Sequence, residues 1–471
     1  MISDLLLLVP FLALIVLNLL PKSARVTPFV VCLLIFLAQT TAAVLKPFGL
    51  IDWSFTSPLE KVIGFTLVAD NLSILLFVTT GIAGLAAILV GRATLKEPRS
   101  RAIFLSLLLV ALIGINGIAM VRDLFTLFLF VEVTSVAAVI LVTLREGAGG
   151  FEGAWKYLLL SSVASVFMLA SIGFFLLSAG GITFDQAAAA LAAPAPLAWV
   201  AAALFMCGLF VKGAMIPFHG WLADAYTAAP APVSVFLAGI VTKATGIFAL
   251  MRLAPSLLPA SAPGREILLI TGALAAVGGA FLALGQSDMK RMLAYSSISQ
   301  MGYIVMALGG EPSLALLAAG FHFFNHTVSK AQLFANAAAV EKRLGTRDMD
   351  KMGGLAARMP VTGATAAVAT LSIAGLPPLA GFWSKLLVVI ALWNGGQRVF
   401  AVIAILTSLV TLGYFLVLQR KVFFGKILPE WESVREAGAG LLVPVIALAL
   451  ITVAIGIGFP FLLPMLLGGG V

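Results

Sequence analysis

Apolar runs long enough to cross a bilayer recur from one end of the chain to the other, separated by short polar stretches. A membrane helix needs about 20 such residues, within a range of about 17 to 25. The pattern predicts about fourteen spans, near residues 4–20, 26–45, 70–91, 101–121, 124–143, 157–179, 196–216, 232–251, 265–284, 292–309, 313–340, 363–393, 398–418 and 441–467. The expected fold class is an all-α polytopic membrane protein. Two runs are interrupted. The seventh reads Leu209-Phe210-Val211-Lys212-Gly213-Ala214-Met215-Ile216-Pro217, and the twelfth contains Ala374-Gly375-Leu376-Pro377-Pro378-Leu379-Ala380-Gly381 before Phe382-Trp383-Ser384-Lys385. Proline removes a backbone donor and clashes with the preceding turn, and glycine tolerates the unwinding. Helices 7 and 12 are therefore expected to be broken, each with a lysine beside the break.

Five ionisable side chains lie inside the runs: Glu132, Lys212, Lys243, Lys330 and Lys385. A charge at bilayer depth costs roughly 2 kcal/mol or more, so such residues mark an ion or proton path by default. Interrupted helices in corresponding places of two halves point the same way in secondary transporters. A proline kink used only for packing is the competing explanation. The eleventh run adds His322-Phe323-Phe324-Asn325-His326-Thr327-Val328-Ser329-Lys330. On a helix, residues 322, 326 and 330 fall at about 0°, 40° and 80°, a polar stripe on one face. Histidine donates and accepts protons near neutral pH, which suits a relay. Two histidines at i and i+4 could also hold zinc, but the glutamate of His-Glu-x-x-His and a third ligand are missing. Hydrogen bonding between helices is the other alternative, which Asn325 and Thr327 could serve.

Composition fixes the class: 61% of 471 residues are hydrophobic and 10% are charged. The net charge of +9 does not signal nucleic acid, because the basic residues are spread over short loops without an aromatic stripe. Cytoplasmic loops of membrane proteins are enriched in lysine and arginine, which tests the division into spans. Loops after odd-numbered runs hold nineteen basic residues, among them Lys22, Arg25, Arg92, Lys96, Arg99 and Arg101. Those after even-numbered runs hold six: Lys46, Lys61, Arg122, Arg252, Arg265 and Arg398. The bias predicts a multi-pass protein of the cell (inner) membrane with both termini on the outer face. The first run lacks a basic leader and is followed by Pro21 and Lys22, so it reads as the first membrane helix rather than a cleaved signal. Cys32 and Cys207 are too few for an iron-sulfur cluster, a c-type haem or a disulfide framework. No Gly-x4-Gly-Lys-Ser/Thr loop is present for nucleotide. His219 and Asp224 have the His-x4-Asp spacing of some membrane acyltransferases. Acyl transfer gives no reason for charges inside five helices, and an organic-solute carrier should place more polar and aromatic residues near the breaks.

Several long stretches carry a family resemblance. They are Asp123-Leu124-Phe125-Thr126-Leu127-Phe128-Leu129-Phe130-Val131-Glu132, Lys212 through Pro232 with Pro217-Phe218-His219-Gly220-Trp221-Leu222-Ala223-Asp224-Ala225, Asp288 through Tyr303, and His322 through Phe334. Together they resemble the antiporter-like subunits shared by respiratory complex I, membrane-bound hydrogenases and formate hydrogenlyases, and multi-subunit Mrp-type sodium/proton antiporters. The resemblance runs from about residue 70 to residue 420. It implies two inverted five-helix repeats, helices 4–8 (residues 101–255) and 9–13 (256–420), preceded by helices 1–3 (1–100) and followed by a loop and helix 14 (421–471). Carried over by motif, Glu132 pairs with Lys212, Lys243 is the next carrier, His322, His326 and Lys330 bridge the repeats, and Lys385 is the terminal site. Ala223 and Tyr226 stand where the family often has proline and histidine, so a role tied to that histidine does not carry over. Lysine rather than glutamate at 385 resembles the hydrogenase and Mrp D-type subunits. The chain ends soon after helix 14, so the long lateral helix of the largest family member is not expected.

A lysine and a carboxylate about 4 Å apart at an effective dielectric of 20 attract by about 4 kcal/mol. Pulling Glu132 away is therefore expected to make Lys212 a proton donor toward Lys243, the histidines and Lys385. The chain itself offers no cofactor-binding or metal residues, so the drive must come from partners. In a redox-driven pump those partners are other integral membrane subunits, including homologous antiporter-like ones, together with subunits carrying iron-sulfur clusters or a nickel-iron site. In an Mrp-type assembly, sodium exchanges for protons without electron transfer. The resemblance implies the ion-translocating subunit of such a complex, not an enzyme by itself.

Overall fold

The computed structural model describes residues 2–19, 27–49, 66–145, 147–193, 196–257 and 263–468. Pro21, Lys22, Arg25 and Lys61, which enter the expectations above, lie outside the described residues. Within the described residues the secondary structure is helical, apart from isolated β-bridges. The main helices are α1 (Ile2–Leu19), α2 (Thr27–Leu45), α3 (Asn71–Thr94), α4 (Pro98–Met120), α5 (Leu124–Thr143), α6 (Ala148–Ala179), α7 (Pro196–Lys212) and α8 (Ala231–Leu257). After them come α9 (Pro263–Leu284), α10 (Met289–Leu308), α11 (Pro312–Leu344), α12 (Pro360–Ala374), α13 (Ala380–Asn394), α14 (Arg398–Leu418) and α15 (Ala439–Gly468).

Among the described residues, nine helices are long and apolar enough to cross a membrane: α2 to α6, α8, α9, α14 and α15. Shorter apolar helices are α1, α7, α12 and α13. Helices α10 and α11 are long enough but too polar to meet the same criterion. Their polar residues, including Ser296, Ser299, Gln300, His322, Asn325, His326 and Lys330, are buried against other helices. Such residues meet protein rather than lipid, so a lipid-transfer criterion undervalues the helices that carry them. Helix α8 is likewise enclosed along its apolar length.

Both interrupted runs break where proline and glycine predict. Helix α7 stops at Lys212, Ala214 has a left-handed backbone (φ 51°), and the Ile216-Pro217 peptide is cis before a short helix, Gly220–Ala228. The twelfth run is two helices, because α12 ends at Ala374, Gly375 takes φ 91°, and Pro377-Pro378 is cis before α13 begins. Gly381 is required at that return: a Cβ there would lie 1.6 Å from the Ser372 carbonyl oxygen. Helix α6 begins well before its apolar run. Its polar first turns are held by Lys156, which lies 2.7 Å from Glu152 and 2.8 Å from Asp224.

One local arrangement occurs twice. Asp123 caps α5 by accepting from Thr126 N at 2.7 Å, and Asp288 caps α10 by accepting from Arg291 N at 3.0 Å. A carboxylate there satisfies amides left free in the first turn. Asp123 also bridges to Thr183, and Asp288 to Asp348; in both cases the second member lies 165 residues after the first. Each bridge ties the start of one helix to the segment following the next helix.

Candidate functional site

Lys212 closes α7, and its Nζ lies 2.7 Å from Glu132 Oε1 on α5. Ser161 on α6 is 2.6 Å away and Ser135 on α5 is 3.1 Å away. Those three oxygens match the three donors of an ammonium. Ser165 donates to the same Glu132 oxygen at 2.8 Å. Burial is unequal: the Lys212 side chain is 1% exposed and that of Glu132 is 25%. A buried ammonium is tolerable only with such a counter-charge and hydrogen-bond shell. The adjacent α8 approaches because residue 246 is glycine. A Cβ on Gly246 would lie 2.2 Å from Gly213 N and 2.3 Å from Gly213 Cα.

Lys243 sits on α8 where the helix widens into π-helical turns, Leu237–Val241 and Lys243–Phe248. Its ammonium bends back onto its own helix, donating to Gly239 O at 2.6 Å and to Ala238 O. π-turns free backbone carbonyls from the ordinary helical register and often occur at functional sites. On α11, Lys330 donates to Leu293 O at 3.0 Å and to the Ser296 hydroxyl of α10. His326 lies within electrostatic reach of Lys243, Lys330 and His322. Both of its ring nitrogens are buried without a protein partner.

At the second break, His322 Nδ1 is 3.0 Å from Ser384 Oγ. Lys385 Nζ is 3.0 Å from Ser408 Oγ, 3.5 Å from the Ala374 carbonyl that the break leaves free, and 4.7 Å from the centre of the Tyr303 ring. The charge of Lys385 reaches His322. The seven predicted residues therefore form two groups: Glu132 with Lys212, and Lys243, Lys330, His326, His322 and Lys385 in succession. Among the described residues, no hydrogen bond or ion pair joins Lys212 to Lys243.

Reading the sequence for charge misses the serines. Ser135, Ser161, Ser296, Ser384 and Ser408 each contact a predicted site residue; their signal is a hydroxyl on an otherwise apolar helix. Tyr226 stands apart from the family motif, yet its hydroxyl lies 3.0 Å from Leu237 O and 2.8 Å from Thr242 Oγ1, beside the π-turns that carry Lys243. Trp221 donates to the Val211 carbonyl at 3.1 Å, next to Lys212. Asp224 is ion-paired to Lys156 at 2.8 Å and Arg291 at 2.7 Å, and no bond to His219 occupies it. The acyltransferase geometry is therefore not formed.

Residues 121–411 match the family model described as NADH:quinone oxidoreductase/Mrp antiporter, TM. The NADH-quinone oxidoreductase subunit N of Desulforudis audaxviator is 34% identical over 413 residues, covering 84% of this chain and 82% of that protein. The D-type subunit of the Na(+)/H(+) antiporter of Alkalihalophilus pseudofirmus is 30% identical over 397 residues, covering 83% and 80%. A chain in the structure of the Mrp complex from a Dietzia species aligns with a TM-score of 0.87 at 25% identity, over 98% of this chain and 96% of that one.

Proposed function

Since this chain belongs to the NADH:quinone oxidoreductase/Mrp antiporter family of membrane subunits, we propose that it carries protons, with sodium as the other candidate cation, along a buried axis. The axis runs from Glu132 and Lys212 through Lys243, Lys330, His326 and His322 to Lys385. The observation that carries this reading is the ion pair at the first helix break, where three helices enclose an ammonium 2.7 Å from a half-buried carboxylate. Such a pair stores a proton whose release depends on the carboxylate's position. The unpartnered nitrogens of His326 favour bridging water, since buried polar atoms are otherwise costly. We read the chain as fourteen spans, with α12 and α13 forming one broken span. Two repeats, helices 4–8 and 9–13, are supported by the paired breaks and by the recurrence of the Asp123 bridge 165 residues later.

The subunit acts in a multi-subunit complex of the inner membrane, beside other antiporter-like subunits, with both termini outside. Glu132 supports this: a carboxylate 25% exposed among exposed Leu129, Val133 and Val136 would face lipid unless another subunit covered it. We favour a redox-driven complex with its iron-sulfur or nickel-iron centres in partner subunits. An Mrp-type sodium/proton antiporter is the second reading, favoured by Lys385 at the terminal position. The test is to purify the complex through a tag on this chain, identify its subunits, and reconstitute it into proteoliposomes with a pH-sensitive dye. Proton movement should depend on electron donor and acceptor, and Lys212→Ala or Lys385→Ala should abolish it. Redox-independent exchange of sodium for protons would assign the second reading, and unchanged transport by both variants would remove the axis.

A further inference from the structure

A cavity of about 180 Å³ opens between α2, α3 and α4, away from the axis. Its walls are apolar, formed by Phe29, Ile88, Phe104 and Leu105, while Arg92 from the last turn of α3 and Arg101 from the first turn of α4 also line it. The Arg92 guanidinium lies 4.7 Å from the centre of the Phe29 ring, and Arg101 Nε donates to the Leu95 carbonyl. Both arginines are exposed, and neither has a carboxylate partner among the described residues. Lys96 and Arg99 lie in the same loop, with Glu97 as its acid, and Lys342 of α11 reaches the Ala93 carbonyl at 2.7 Å. Excess positive charge is therefore concentrated beside an apolar recess at a helix-loop boundary.

We propose that this cavity binds the head group of an anionic phospholipid, with its phosphate between Arg92 and Arg101 and its glycerol end against Phe29 and Phe104. Guanidinium groups offer paired donors that match phosphate oxygens. Basic pockets between membrane helices are suited to acidic lipid head groups. Phosphate is the shared chemistry of a lipid and of the free anion, but a free phosphate would leave the Phe29, Ile88, Phe104 and Leu105 wall uncovered. A phospholipid covers that wall as well. Beside Phe29, Val30, Leu34 and Leu37 form an exposed apolar stripe along α2 at i, i+4 and i+7, a surface for an acyl chain.

The test uses the full chain, delipidated in a neutral detergent and titrated with phosphatidylglycerol while native mass spectrometry counts bound lipid. Phosphatidylcholine with the same acyl chains and inorganic phosphate are parallel arms, and Arg99→Gln is the control for charge outside the cavity. Arg92→Gln with Arg101→Gln should weaken phosphatidylglycerol binding roughly thirtyfold, leave the thermal unfolding of lipid-free protein unchanged, and exceed the effect of Arg99→Gln. Equal phosphatidylglycerol binding by wild type and the double variant would overturn the proposal. So would equal affinity for phosphatidylcholine, or displacement of the lipid by millimolar inorganic phosphate.

Discussion

Glu132→Gln removes the counter-charge of Lys212 while keeping the shape of the side chain and an oxygen able to accept from the ammonium. At 2.7 Å and an effective dielectric of 20, the attraction is about 6 kcal/mol. The carboxylate is 25% exposed, and nearby water that doubled the dielectric would halve this to about 3 kcal/mol. The glutamine carbonyl restores about 1 kcal/mol as a hydrogen-bond acceptor. The net penalty on the protonated lysine is then about 2–5 kcal/mol, or at least roughly thirtyfold in its occupancy. Initial rates of dye quenching in proteoliposomes should fall below about a tenth of wild type, with subunit composition on native gels unchanged. Glu132→Asp keeps the charge and should retain part of the rate. Wild-type pumping by Glu132→Gln would refute the idea that this carboxylate sets the proton's release.

Gly246→Ala forces a Cβ to 2.2 Å from Gly213 N; both neighbours are backbone, so α7 and α8 must separate, and thermal unfolding in detergent should show a loss of about 1–3 kcal/mol. An unchanged midpoint would contradict the packing described. Asp70 lies outside the spans, and burial would raise its carboxyl, but the hydrogen bond and charge of Arg252, the Ser73 amide and Arg122 outweigh this and hold it down at about 2. A lowered folded-state value adds stability that is present above the ordinary carboxylate range and is lost as pH falls toward 2. Asp70→Asn should therefore lower the midpoint at pH 6 and flatten its decline between about pH 4 and 2; an unchanged decline would count against the Asp70 network. Glu436 accepts from Val361 N at 2.8 Å and from Thr362 Oγ1 at 2.6 Å at the start of α12. Glu436→Ala should cost about 1 kcal/mol, measured by urea unfolding, and no change in stability would remove this carboxylate as a cap.

Much of the fold is legible because lipid imposes a simple rule: a span must be long and apolar. Helices α3, α5 and α9 begin and end close to their runs, and the breaks at Pro217 and Pro377-Pro378 follow from missing donors. The rule weakens where protein replaces lipid. Buried α10 and α11 carry serines, histidines and amides that hydropathy discounts, and α6 extends through Glu152 and Lys156 because Asp224 holds the latter. Charged members of the site could be seen because charge is rare inside a membrane. Its hydroxyls could not, because serine on an apolar helix also bonds to the preceding turn, as Ser162 does to the Leu158 carbonyl at 2.9 Å. Nor does sequence spacing reveal that Lys243 lies in a π-turn, since that depends on how α8 packs against Gly213 and Tyr226.

The partners of the four lysines differ in a way that constrains transport along the proposed axis. Lys212 has a carboxylate, whereas Lys243 has carbonyls of its own helix, Lys330 a carbonyl and a serine, and Lys385 a serine beside the carbonyl freed at the break. Carbonyl and hydroxyl dipoles stabilise an ammonium less than a full opposite charge does. The row holds one carboxylate for four amines, and Lys243 and Lys330 act on each other's charge. Two ammonium ions about 8 Å apart repel by about 2 kcal/mol at a dielectric of 20. Filling every site at once is therefore unfavourable, and a proton arriving at one lysine favours release from the next. Lys212 is the exception, because its proton is held until Glu132 moves. The pair thus acts as the controlled entry, and the remaining lysines and histidines as sites that pass on the charge it releases.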